Sequence, residues 1–246
     1  MLTSVLESGV CVGPYPELAG KRILITGLNL QAGVDVARAF AENGCRIVLH
    51  TEDTGVEVDA VLEMLAQSAA ELQVYSDPLV DTETTTKFAQ TGARAFNGLD
   101  AVINLVQLDL KSLAKGEDRP VEEALTQRLQ TARLISRIAA NRMRLTWSEG
   151  LILNILVSKA PQTGAETALL SLARAMLAGM TRTEAQEWAD QAVRINAVAP
   201  AIDAGDCSGA EPKVAALAMF LASPGGREFS GLMFDVALAG DVPEVV

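Results

Sequence analysis

Residues Arg22 to Glu52 read RILITGLNLQAGVDVARAFAENGCRIVLHTE, and they constrain the fold more than any other stretch. A short apolar run, Ile23 to Ile25, is flanked by turn residues, the pattern of a fully buried strand. A glycine turn follows, with Thr26, Gly27 and then Gly33. Val36, Ala37, Phe40 and Ala41 recur at helical spacing, and Asn43-Gly44 is a helix stop. Ile47 to Leu49 is a second buried strand. Strand, glycine turn, helix and strand in about thirty residues make the opening of a dinucleotide-binding βαβ unit.

The rest of the chain keeps the same alternation. Helical periodicity at Val58 to Ala69, Thr82 to Phe96, Pro120 to about Met143, Gly164 to Trp188 and Val214 to Leu221 separates short apolar runs. Those runs, at Leu72 to Tyr75, Ala101 to Leu105, Leu151 to Leu156, Ile195 to Val198 and Met233 to Val236, bring the expected strands to about seven. The expected fold is therefore α/β, a doubly wound three-layer αβα arrangement around a parallel sheet. Pro14 and Pro16 make residues 1–20 an irregular lead-in, and residues 21–246 read as one domain.

The formal charge of −11 and the pI near 4.6 argue against nucleic acid or an anionic membrane as partner. Cys11, Cys45 and Cys207 share no short metal spacing, and His50 is the single histidine, so no metal is expected. Cys45 borders a buried strand, where a free thiol behaves as a small hydrophobe. The first twenty residues lack a basic segment followed by a long apolar run, and no stretch is long enough to span a membrane. The chain reads as soluble and cytoplasmic.

Several segments, in order and spacing, resemble the short-chain dehydrogenase/reductase family from about Leu18 to Gly240. TGLNLQAG at Thr26 to Gly33 stands where that family has TGxxxGxG, and LDAVINLVQ at Leu99 to Gln107 where it has LDxLVNNAG. EGLILNILVS at Glu149 to Ser158 resembles its GxIVNISS strand, and the segment from Gly179 to Ala201 its stretch ending in RVNAVAPG. ALAMFLASPGGREFSG at Ala216 to Gly231 resembles its last helix and turn. The resemblance implies a Rossmann-like fold, NAD or NADP as cofactor, and a relay of serine, tyrosine and lysine that polarises the carbonyl and passes the proton.

Against that pattern the chain departs at the places that matter most. The serine, tyrosine and lysine positions fall on Val157, Leu170 and Arg174, and the relay's asparagine position falls near Gln127 to Leu129. The whole chain has only two tyrosines, Tyr15 and Tyr75, both distant from that helix in sequence. Arginine has almost no accessible neutral form and a different shape from lysine. Ser158, one residue past the serine position, suits a loop cap better than a reacting group, and Glu166 is the one nearby ionisable substitute. In the glycine turn Gln31 replaces the middle glycine, where a side chain takes space that the pyrophosphate needs. Thr51 and Glu52, at the end of the second strand, could hold a ribose hydroxyl, though a solvated turn explains the same residues more simply. Asn104 is kept, while Leu105, Val106 and Gln107 replace its usual neighbours. Only Ala201 to Glu211 is left for the family's long substrate lid.

The expected cofactor set is therefore weakly bound NAD or NADP through Gly27, Gln31, Gly33, Thr51, Glu52 and Asn104. The expected role is a non-catalytic subunit, scaffold or ligand sensor; the rival is an active NAD(P)-dependent ketoreductase-like enzyme with an atypical site. On the Gly164 to Trp188 helix, Leu170, Arg174 and Leu177 are expected to face the former cleft, and Leu169, Ala173, Met176 and Met180 the sheet. Ala165, Ala168, Leu172, Ala175 and Gly179 are left for a partner. A homodimer or homotetramer follows, or a mixed oligomer with an active relative.

Overall fold

The computed structural model of the chain describes residues 14–115, 120–146, 148–200 and 211–236. Residues 201–210 of the expected short lid, together with Trp147, Cys11 and Cys207, lie outside the described residues. In chain order the elements are β1 (Arg22–Leu28), α1 (Val34–Glu42), β2 (Arg46–Thr51), α2 (Val56–Ser68), β3 (Glu71–Tyr75) and α3 (Thr82–Arg94). They continue with β4 (Ala101–Leu108), α4 (Leu110–Lys115), α5 (Val121–Leu145), β5 (Gly150–Ser158) and α6 (Gly164–Trp188). β6 (Val193–Pro200), α7 (Glu211–Ala222) and β7 (Met233–Val236) complete the series. The strands form one seven-stranded sheet in the order β3-β2-β1-β4-β5-β6-β7, with every pairing parallel.

Successive side chains of a strand point to opposite faces, and here both faces are buried, which is why the strands read as unbroken apolar runs. Ile23, Ile25, Ile47, Ile103 and Leu153 pack with Phe40 of α1 and Met219 of α7. Their neighbours Leu24, Val48, Val102 and Ile152 pack on the other face with Phe88 of α3 and Ile135 of α5. Arg22 closes the base of the sheet, its guanidinium forked onto Asp100 at 2.8 and 2.9 Å. Burial works against charge on Asp100, but the Arg22 bonds hold its carboxyl below the usual range.

Three features differ from the sequence reading. α4 was not anticipated: at six residues it is too short to show periodicity, and Asp109 caps it through the N–H groups of Lys111 and Ser112. The lead-in is partly ordered. Pro16–Leu18 form a 3-10 turn, Leu18 is buried, and the Tyr15 N–H donates to Asn43 Oδ1. Cys45 lies beneath it, donating to the Leu18 carbonyl, with its thiol pushed up to about 12 by burial.

The third difference concerns α6. Its buried stripe is Glu166, Leu170, Ala173, Arg174, Leu177, Thr181, Glu184, Ala185 and Trp188. Leu170, Ala173 and Leu177 are fully covered by the sheet, while Leu169, Met176 and Met180 pack against the same cluster only partly buried, so the helix is turned toward the Leu170 side. Ala165, Ala168, Leu172 and Ala175 are exposed.

Candidate functional site

The strand order reverses between β1 and β4, and open α/β sheets take their ligands beyond the carboxyl ends of strands at such a reversal. The last paired residues of β1 and β4 are Thr26 and Asn104, after which the two chains diverge. Gly27 and Gly33 flank the opening. Both have positive φ, 74° and 92°, which suits glycine.

The opening is occupied by the chain's own side chains. A Cβ on Gly33 would lie 2.2 Å from Leu105 Cδ1, and one on Gly27 would lie 2.5 Å from the Leu105 carbonyl oxygen. Leu105 is buried against the turn. Gln107 reaches across from β4, its Nε2 donating to the Gly27 carbonyl at 2.8 Å. Gln31, the residue expected to take space in the site, is exposed. Leu105 and Gln107 of β4 are the side chains in contact with the turn. Asn29 and Ala32 exchange backbone bonds of 3.1 Å around Leu30 and Gln31. The Gln31 N–H donates to Asn29 Oδ1 and the Leu30 N–H to Asp53 Oδ2, each at 2.9 Å. Two donors that could face an anion are already engaged, one by a carboxylate and one by an amide oxygen.

The remaining expected cofactor residues are also engaged. Thr51 is fully buried and its hydroxyl accepts from the Asp53 N–H, while Glu52 accepts from the Leu79 N–H. Asn104 is buried among protein groups. Its Oδ1 accepts from Thr26 Oγ1, and its Nδ2 donates to Asn154 Oδ1 at 2.8 Å and Ser136 Oγ at 3.0 Å. Asn104 therefore joins β1, β4, β5 and α5 inside the core.

At the ends of β5 and α6 the expected reacting positions separate. Val157 pairs in register with Gln107 and packs on the layer that contains Leu105. Leu170 is fully buried in the opposite layer, with Val106 and Leu156. Leu170, expected to face the former cleft, is enclosed beside the carboxyl ends of β4 and β5, because the turn of α6 that carries it packs on the sheet. Arg174 donates to the Pro200 carbonyl and forms an ion pair of 2.5 Å with Asp235, tying α6 to the ends of β6 and β7. Glu166 accepts from the Gln162 N–H at 2.8 Å and serves the start of α6, as Thr163 does through the Glu166 N–H. Asp109 is held below its usual range, first by the Ser112 hydroxyl. Tyr15 packs by the lead-in, and Tyr75 stands at the sheet's far edge beside Phe88. Among the described residues no cluster of three or more His, Cys, Asp or Glu could hold a metal, and no helix is long and apolar enough to cross a membrane.

A profile of the short chain dehydrogenases matches residues 21–212. The chain belongs to that family. Among curated relatives, an uncharacterized oxidoreductase of Thermotoga maritima is 25% identical over 189 residues, covering 74% of this chain and 71% of that protein. A 3-oxoacyl-[acyl-carrier-protein] reductase of Synechocystis is 24% identical over 189 residues, covering 77% of this chain and 76% of that protein. Among solved structures, an NADH-dependent reductase complexed with NAD superposes with a TM-score of 0.71 at 19% identity, over 90% of this chain and 96% of that one. That likeness establishes the shared Rossmann-like fold.

Sequence reasoning missed the roles of Leu105, Gln107, Ser136 and Asp235. The departure of Leu105 and Gln107 from the family pattern was a visible signal. Ser136 and Asp235 carried none, since their partners lie 32 and 61 residues away.

Proposed function

We propose that this short-chain dehydrogenase has lost hydride transfer and serves as a non-catalytic subunit, scaffold or small-ligand sensor. The observation that carries the reading is the occupation of the reaction positions by Val157, Leu170 and Arg174, with Leu170 sealed in the core. None of the three can pass a proton to a substrate carbonyl at neutral pH. Among the described residues near the cleft, Asp53, Asp109, Glu166 and Arg174 each hold a structural partner, while Lys159, whose charge lowers Asp109, is exposed. Leu105 and Gln107 fit a dinucleotide poorly, so NAD(H) and NADP(H) bind weakly here, at about −5 kcal/mol or less favourably.

The test is direct. With NADH or NADPH and a 3-oxoacyl thioester, the substrate class that names one relative, purified protein is expected to show no cofactor oxidation above background. Calorimetry should give dissociation constants in the high micromolar range or weaker. Leu105→Asn with Gln107→Gly should tighten cofactor binding about tenfold by reopening the site. Robust turnover that Arg174→Ala or Glu166→Gln abolishes would establish the rival reading, an active oxidoreductase with an atypical site.

The subunit reading includes a second copy of this chain on α6. Leu172 is 42% exposed at the centre of a face made otherwise of Ala165, Ala168, Ala175 and Gly179. Small residues let two equivalent helices approach closely about a two-fold axis. Light scattering should give a dimer or tetramer for the parent and a smaller mass for Leu172→Glu. A monomeric parent, or an unchanged mass in the variant, places the interface elsewhere, and co-purification with an active relative identifies a mixed oligomer.

A further inference from the structure

A second cleft, of about 620 Å³, opens at the amino ends of β5 and β6, the end of the sheet opposite the cofactor cleft. Arg182 of α6, Arg194 of β6 and Arg227, just past α7, line it together with a single acid, Glu149. On a chain of net charge −11, three guanidinium groups around one carboxylate make an uneven local balance.

The three arginines are not consumed by the fold. Arg194 is anchored through Nη1 alone, which donates to the carbonyls of Leu221 at 2.9 Å and Gly226 at 2.6 Å. Its remaining donors have no partner among the described residues, and burial disfavours its charge, opposed by Glu149 but reinforced by the nearby Arg227. Arg227 meets Glu149 at 3.4 Å, with both side chains well exposed at 62% and 70%. Such a pair is weak and readily exchanged for a better anion. Arg182 is exposed and has no partner among the described residues. Ser230 accepts from the Ile195 N–H, which leaves its own hydroxyl proton to donate into the cleft. Ala185, Ala189 and Val193 make an apolar part of the lining, and Gln186 adds an amide.

We propose that this cleft binds a small organic phosphate monoester, its dianionic group on Arg182, Arg194 and Arg227 and its organic body against Ala185 and Val193. A phosphate monoester carries close to two negative charges at neutral pH and three terminal oxygens, the acceptors that guanidinium forks match best. The volume is many times the share of one water molecule, about 30 Å³, so inorganic phosphate would leave most of the space unfilled. The site is built from other residues than the cofactor cleft, and it stands whether or not hydride transfer is retained.

Phenyl phosphate, inorganic phosphate and sodium chloride, each added to the full-length protein at fixed ionic strength and about pH 7.5, test the assignment. Phenyl phosphate at ten times its dissociation constant should raise the melting temperature by about 4 °C, and chloride should not. The double variant Arg182→Ala, Arg227→Ala alters only exposed side chains, and it should weaken phenyl phosphate at least about tenfold by calorimetry. Glu149→Gln should tighten binding about threefold by removing the competing carboxylate. An unchanged affinity in either variant overturns the proposal. So does inorganic phosphate binding as tightly as the ester, or no shift beyond that of chloride.

Discussion

Replacing Asn104 with alanine is expected to destabilise the protein by about 3 kcal/mol and lower its melting temperature by roughly 6–12 °C. The side chain is 1% exposed and joins Thr26, Asn154 and Ser136 through bonds of 2.8 to 3.0 Å. Alanine removes one amide and strands three buried polar groups, and each stranded group costs about 1–3 kcal/mol when no water replaces the partner. Asn154 is the most exposed to this loss, because its own Nδ2 already lacks a hydrogen bond. Urea unfolding of parent and variant measures the difference. A loss under about 1 kcal/mol would mean that the cavity takes up water and that the network contributes little. Cofactor binding, measured on the folded variant, is expected to stay where the parent's is, since Asn104 is buried and its amide is engaged by Thr26, Ser136 and Asn154.

Exchanging Glu184 for glutamine should stabilise the protein by about 2–3 kcal/mol at pH 8 and by little at pH 4.5. Glu184 is 1% exposed on the face of α6 that packs toward α5, and its carboxyl is pushed up to about 7, first by burial. Arg133 approaches to 3.3 Å, and Arg137 adds a weaker attraction, while Glu187 opposes them. Arg133 is itself 45% exposed, so water screens its charge and it does not offset the burial. Neither carboxylate oxygen has a hydrogen bond, and the adjacent Thr181 Oγ1 and Trp188 Nε1 also lack partners.

In the unfolded chain Glu184 releases its proton near 4.5, whereas in the folded protein it does so at about 7. Between those values the folded state holds a proton that the unfolded state has lost, so stability falls as pH rises through that window and levels off above it. Glutamine keeps the shape and removes the titration. Urea midpoints for parent and Glu184→Gln at several pH values, at one protein concentration, test the effect. Parallel pH profiles for the two proteins would refute it.

The sequence by itself determined the architecture. Seven apolar runs separated by helical periodicity admit few arrangements other than a parallel sheet covered on both faces, because such runs have no polar edge to show to water. The glycine turn and the reversal point could be located for the same reason: Gly27 and Gly33 hold positive φ angles that other residues avoid. Local chemistry of this kind is written within a few neighbouring positions.

What the cleft contains was decided only in three dimensions. Gln31 replaces a glycine in the motif, and the hairpin at Asn29 and Ala32 leaves its side chain exposed. Leu105 and Gln107, some seventy to eighty residues from the turn, fill the opening because β4 lies beside β1. The face of α6 followed the same rule. Leu170, Arg174 and Leu177 do share one side, as spacing requires, but the docking angle of the helix turned that side onto the sheet. Periodicity states which residues lie together on an element. It carries no information on what that face meets, because packing partners come from elements distant in the chain, and their contacts set the rotation of the helix.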